Sequence, residues 1–155
     1  MTNNNRLKLS STVFSHNGHI PPQYTCEGKN INPPLTIENI PGGTKTLAII
    51  VEDPDAPKGT FDHWLMWNIP INAAIAEESS PGICGTNSFG KAGYGGPCPP
   101  SGVHRYFFKV YALDKELDIT PGAGKKELLD AMKGHILADA ELMGLYQKHK
   151  HPVAG

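Results

Sequence analysis

The sequence has no apolar run long enough to span a bilayer, and its first segment, Met1 to Ser11 (MTNNNRLKLSS), is polar where a secretory leader needs an apolar stretch. An integral membrane protein is excluded on this reading, and the cytoplasm is the expected compartment. An excess of either charge is also missing: 14 Lys and Arg stand against 15 Asp and Glu, for a net charge of −1. No segment gathers the basic residues into a nucleic-acid footprint, so nucleic acid is not an expected partner. Cysteine is scarce. Cys26, Cys84 and Cys98 lack Cys-x-x-Cys spacing, which argues against a zinc knuckle or a disulfide framework and predicts three buried free thiols. Neither a Gly-x-Ser-x-Gly elbow nor His-Glu-x-x-His occurs, and internal repeats are absent.

What the chain does have is length for one sizeable core: 155 residues, 39% of them hydrophobic. A single domain over 1–155 is expected, with 1–8 a flexible N-terminal segment and 149–155 a flexible tail. The 17 glycines and 14 prolines exceed the average of about 12% but stay short of disordered compositions, which reads as an ordered, loop-rich fold. Leu47 to Asp53 (LAIIVED), His63 to Ile69 (HWLMWNI) and Arg105 to Leu113 (RYFFKVYAL) are β-branched or aromatic runs between turn signals and predict core strands. From Lys125 to Lys148 the apolar residues Leu128, Leu129, Met132, Ile136, Leu137, Ala140, Met143 and Leu145 recur at steps of three and four. That spacing predicts two helices divided at Gly134. Strands precede helices without alternating with them, so the expected class is mainly β: an antiparallel β-sandwich with C-terminal α-helices packed outside.

The chemistry concentrates around the strand ends. Asp53 precedes Pro54, which forces it into extended backbone at the end of a core strand, although Asp53 and Asp55 could equally serve turn amides. His63 opens the second strand beside Phe61 and Trp64, and His104 stands before the third in His104-Arg105-Tyr106. Between the last two strands lies a long Gly- and Pro-rich loop containing Gly93-Tyr94-Gly95-Gly96-Pro97-Cys98-Pro99-Pro100-Ser101-Gly102. Long ordered loops inside compact domains are commonly functional. Stiff backbone amides, two imidazoles and a phenol make a donor-rich cup suited to phosphate or carboxylate oxygens.

These segments together resemble the phosphatidylethanolamine-binding protein family: Asp53-Pro54-Asp55-Ala56-Pro57, His63, Asn68, Gly96-Pro97 and Gly102-x-His104-Arg105-Tyr106. The likeness extends to Pro22-x-Tyr24-Thr25-Cys26-x-Gly28-x-Asn30-x-Asn32-Pro33-Pro34-Leu35, to Tyr111-Ala112-Leu113-Asp114 and to Gly134-His135 with Ala140-x-Leu142. It is nearest the bacterial and archaeal, Raf-kinase-inhibitor-like branch. The resemblance implies a small anion pocket lined by Asp53, Pro57, Phe61, His63, Gly96, Pro97, His104 and Tyr106, with Phe61 where the family usually has tryptophan. Asp55 and Arg105 are implied as scaffold, and Tyr146, on the last helix, as closing the pocket.

The function expected is therefore binding without turnover: no catalytic residue, no cofactor and no metal. The ligand is a small phosphate- or carboxylate-bearing molecule such as phosphoethanolamine, and the resemblance also implies a protein partner, a kinase or a protease; a homodimer is compatible with it. Asp53 is expected to orient a histidine and favour its imidazolium, so that anion affinity falls from pH 6 to pH 8. Two enzymatic alternatives are weighed against this. Asp53, His63 and His104 could form a two-histidine, one-carboxylate metal site, and Cys98 with His104 could form a thiol hydrolase.

Overall fold

A computed structural model describes residues 6–72 and 74–148. Its elements run β1 (Lys8–Ser10), a 3-10 turn (Pro22–Tyr24), β2 (Leu35–Glu38), β3 (Thr46–Asp53), β4 (Phe61–Ile69), β5 (Ala74–Ile75), β6 (Ile83–Cys84), β7 (His104–Leu113), α1 (Lys125–Met132) and β8 (Ile136–Tyr146). Two antiparallel sheets result: three short strands ordered β1-β2-β5, and five ordered β6-β4-β3-β7-β8. The mainly β, antiparallel class expected from the sequence is the one found.

The five-stranded sheet is apolar on both faces because both are covered. Along β3 the side chains alternate: Leu47, Ile49 and Val51 face the small sheet, among Leu35, Ile37, Trp64, Met66, Phe108 and Val110. Ala48 and Ile50 face the other way, toward Leu65, Trp67, Leu128 and Met132. A strand buried on both sides reads as the near-continuous apolar run seen in LAIIVED, without the polar alternation of a solvent-facing strand.

One helix forms where two were expected. Lys125–Met132 is helical, its first turn held by the Gly124 N–H donating to Glu127 Oε1 at 3.1 Å, and Gly134 ends it in left-handed backbone at φ 82°. Beyond Gly134 the chain is strand, not helix: β8 pairs with β7 over its whole length, from Leu113–Ile136 to His104–Tyr146. The three- and four-residue spacing misleads here because β8 is an edge strand. In its first half Ile136 and Leu137 are exposed and the inward-facing Ala138 and Ala140 are only half-buried against the core, so full burial on alternate residues appears only at Leu142, Gly144 and Tyr146.

Two further expectations are corrected. Cys26 and Cys98, 72 residues apart, form a disulfide, leaving Cys84 as a free, half-buried thiol; spacing that distant carries no sequence signal. The N-terminal segment is ordered sooner than expected, since Leu7 is buried and Lys8 begins β1. Residues 1–5 and the expected tail at 149–155 lie outside the described residues.

Candidate anion site

The site stands where β3, β4 and β7 lie side by side. Asp53 is the last residue of β3 and sits opposite Phe61 at the start of β4; His63 lies two residues further along β4, and His104 and Tyr106 face the same end from β7. The residues between β3 and β4 bind the two long strands together by a double grip. Asp53 Oδ1 accepts the Asp55 N–H at 2.7 Å, fixing the turn, while Asp53 Oδ2 accepts from His104 Nδ1 at 2.7 Å. Asp55 takes the neighbour of that histidine: its carboxylate accepts from the Arg105 backbone N–H and Nε, both at 2.9 Å, and from Nη2 at 2.8 Å. The guanidinium holds the Asp55 carboxyl down at a pKa of about 2. Asp55 and Arg105 are scaffold in this geometry, as the resemblance implies.

His63 is held by a different partner. Its Nδ1 lies 2.7 Å from the Gly95 carbonyl, whose residue returns a bond from its own N–H to the His63 carbonyl at 2.9 Å. A carbonyl only accepts, so Nδ1 carries the proton and Nε2 is left as the second nitrogen of a ring on the pocket wall. Burial lowers the pKa of His63, against the opposing pull of the Gly95 carbonyl, Asp53, the Gly96 carbonyl and Asp62. Of the two histidines, the one that Asp53 orients is thus His104.

Between these side chains lies a cavity of about 150 Å³, lined by Asp53, Pro57, Phe61, His63, His104 and Tyr106 on one side and by Phe89, Cys98, Pro99 and Pro100 on the other. That is about half the smallest usual ligand cavity of roughly 300 Å³, room for one small headgroup. The Tyr106 hydroxyl is the informative atom. Tyr106 is 1% exposed, and its oxygen has no hydrogen-bond partner of good geometry. Burial and then nearby Asp53 raise its pKa, so it stays a protonated donor. Buried hydroxyls almost always find a partner; here the cavity is where one would be.

Gly96 and Pro97 are not on the lining. The Gly96 N–H is spent on Asn30 Oδ1 at 2.8 Å, and the Pro97 carbonyl on the Cys26 N–H at 3.1 Å. A Cβ at Gly96 would run into Asn30 Oδ1 and the Tyr24 carbonyl, so this glycine serves close packing of the loop. Tyr146, expected on a helix, lies on β8 opposite His104; its hydroxyl is bonded to Glu27, and it borders a separate cleft with His19 and Pro21.

Sequence reasoning missed Phe89, Pro99 and Pro100 as lining, and Asn30 as the residue that positions the loop. Asn30 sits in left-handed backbone at φ 60°, a conformation for which Asn is favoured, and this was its available signal. Phe89 is placed by Asn87, whose Oδ1 accepts the Phe89 N–H at 2.9 Å. Its ring meets Phe61 edge-on at 4.7 Å and His63 at 5.5 Å.

The thiol-hydrolase alternative does not fit this geometry. Cys98 Sγ is bonded to Cys26, so it is no thiolate beside His104. Among the described residues no three His, Cys, Asp or Glu side chains are grouped to hold a metal ion.

Comparison with known proteins agrees with the fold and with the family resemblance. The model of the family described as phosphatidylethanolamine-binding protein matches residues 10–147. A UPF0098 protein of Methanothermobacter thermautotrophicus is 48% identical over 92% of this chain and 99% of its own length, and one of Pyrococcus horikoshii is 53% identical over 92% and 77%. Among solved structures, the phosphatidylethanolamine-binding protein homolog CT736 of Chlamydia trachomatis superposes with a TM-score of 0.91 at 43% identity, covering 94% of this chain and 99% of that one. E. coli YbcL, called a new member of the mammalian family, follows at 0.85 and 29% identity, covering 93% and 99%.

Proposed function

The chain belongs to the phosphatidylethanolamine-binding protein family, and from that premise we propose that it binds a small phosphate- or carboxylate-bearing ligand at the Asp53, His63, His104 and Tyr106 cavity, without turning it over. The observation that carries the reading is the Tyr106 hydroxyl, a buried donor with no protein partner of good geometry. Such a group costs about 1–3 kcal/mol when left unpaired, a cost a ligand oxygen would remove. No pair of side chains lining the cavity joins an available nucleophile to a base, which favours binding over catalysis.

The test is calorimetric titration of phosphoethanolamine and of inorganic phosphate, with amide shifts followed by NMR. Saturable binding that perturbs residues 53–63 and 104–106 is expected. No binding at millimolar ligand, or shifts confined elsewhere, overturns the proposal. Regulation of a kinase or protease partner is a further part of it, tested by whether pull-down of such a partner responds to phosphoethanolamine.

No described helix is long and apolar enough to cross a membrane. A cytoplasmic location also remains our proposal, and the Cys26–Cys98 disulfide weighs against it, because such bonds persist mainly in oxidising compartments or in hyperthermophiles. Thiol labelling of protein taken from separated cell fractions decides it.

A further inference from the structure

We infer that the pocket selects the singly protonated form of an oxyacid, with His63 Nε2 accepting a hydrogen bond from the ligand's own hydroxyl. This rests on the anion-binding reading above and specifies which anion. The argument begins with the Gly95 carbonyl, 2.7 Å from His63 Nδ1. It compels that nitrogen to donate, so the neutral ring presents a bare lone pair at Nε2. Burial, which disfavours the charged ring, keeps it so.

The groups around the cavity supply the other half of the pattern. Tyr106 offers an O–H that has no hydrogen-bond partner of good geometry. His104 Nδ1 is engaged with Asp53 Oδ2 at 2.7 Å. Asp53 Oδ1 is occupied by the Asp55 N–H, Asp55 by Arg105, and Asp62 by Lys125 at 2.7 Å. The cavity therefore joins a donor at Tyr106 to an obligatory acceptor at His63. A phosphate monoester monoanion has that complement, with two acceptor oxygens and one P–OH. Sulfate has only acceptors, and in any orientation within the cavity of about 150 Å³ would set an oxygen lone pair against that of Nε2.

The experiment titrates phosphoethanolamine, methylphosphonate and sulfate into the protein from pH 5 to pH 8.5 at fixed ionic strength. Sulfate should bind at least about thirtyfold more weakly than phosphoethanolamine at pH 5.5, from the mismatch of two acceptors. Phosphate-ester affinity should fall about tenfold per pH unit above the ligand's second ionisation, near pH 6. Methylphosphonate ionises at higher pH, so its break should shift upward by the same amount. A titrating protein histidine would instead give both oxyacids one break. In ¹⁵N spectra of the free protein, His63 should show a protonated Nδ1 and an unprotonated Nε2 at pH 6.5. His63→Gln, which presents both a donor and an acceptor, should narrow the preference over sulfate while keeping phosphoethanolamine binding measurable. Sulfate binding as tightly as the ester, or a common break for both oxyacids, overturns this inference and leaves the anion site standing. Failure of all three ligands to bind overturns the anion site itself.

Discussion

The cavity has two walls of different construction. On one side Asp53, His63, His104 and Tyr106 hang from three neighbouring strands whose ladders also carry the core. On the other, Cys98, Pro99, Pro100 and Phe89 belong to irregular chain between Cys84 and His104. Local fastenings position this wall: the disulfide to Cys26, the Asn30 amide to Gly96, the Tyr94 hydroxyl to the Tyr24 carbonyl at 2.7 Å, and the Asn87 loop. The strand wall borrows its rigidity from the whole fold, whereas the loop wall depends on a few bonds. Changes on the first should alter binding at nearly constant stability, and changes on the second should alter stability and cavity shape together.

The strongest way to break that contrast is to remove the disulfide. Closing a loop of 72 residues is worth about 4 kcal/mol in the chain-entropy account. Cys26→Ala/Cys98→Ala should therefore unfold at markedly lower denaturant than the wild type, and amide exchange should rise in residues 94–100 but not in β3 or β7. Equal protection in the double mutant would mean that the Asn30 and Tyr24 bonds alone hold the wall.

A smaller effect, about 2 kcal/mol, is expected for Gly96→Ala, because the new methyl must displace Asn30 or the Tyr24 segment. Its chemical denaturation curve checks this, and an unchanged midpoint would show the loop wall to be plastic.

Tyr106→Phe sharpens the other side. Its hydroxyl has no protein partner of good geometry, so stability should hold or rise slightly, while phosphoethanolamine affinity falls roughly tenfold for one lost hydrogen bond. Calorimetry and melting on the same sample separate the two quantities. Loss of stability without loss of affinity would reverse the roles of the walls.

The smallest effect belongs to the Asp55–Arg105 pair, whose side chains are 28% and 51% exposed respectively, so that solvent screening leaves it little net stabilisation. The Asp55 pKa is lowered from 3.8 to about 2 in the folded state. Its contribution is thus complete above about pH 4 and is lost as pH falls toward 2. Acid titration of Asp55→Asn against wild type should show curves that differ above pH 4 and converge below it.

The same contrast explains what could be read in advance. LAIIVED, HWLMWNI and RYFFKVYAL announce β3, β4 and β7 because the central strands of the five-stranded sheet carry dense β-branched and aromatic runs. The strand-wall residues ride on those runs. The loop wall has no period to read. Phe89, Pro99 and Pro100 reach the cavity through long-range bonds among Asn30, Tyr24 and Cys26 that no local pattern encodes. The helical spacing of β8 misleads for a related reason: its first half meets the core only through the half-buried Ala138 and Ala140, so its composition is free to mimic helical spacing. The short strands β1, β2, β5 and β6 carry too few residues for any period to show.

The order of the strands also sets a timetable. β3 and β4 are joined through residues 54–60 alone and can pair early as a hairpin, bringing Asp53 and His63 together; β7, which carries His104 and Tyr106, must arrive from some fifty residues along the chain, and closures over such distances come late. Half of the cavity is then present while its phenol and second imidazole are still missing. A ligand cannot recognise that half-built state, and so cannot template its completion. It acts only on the finished molecule, slowing the departure of β7 and leaving the rate of folding as it was.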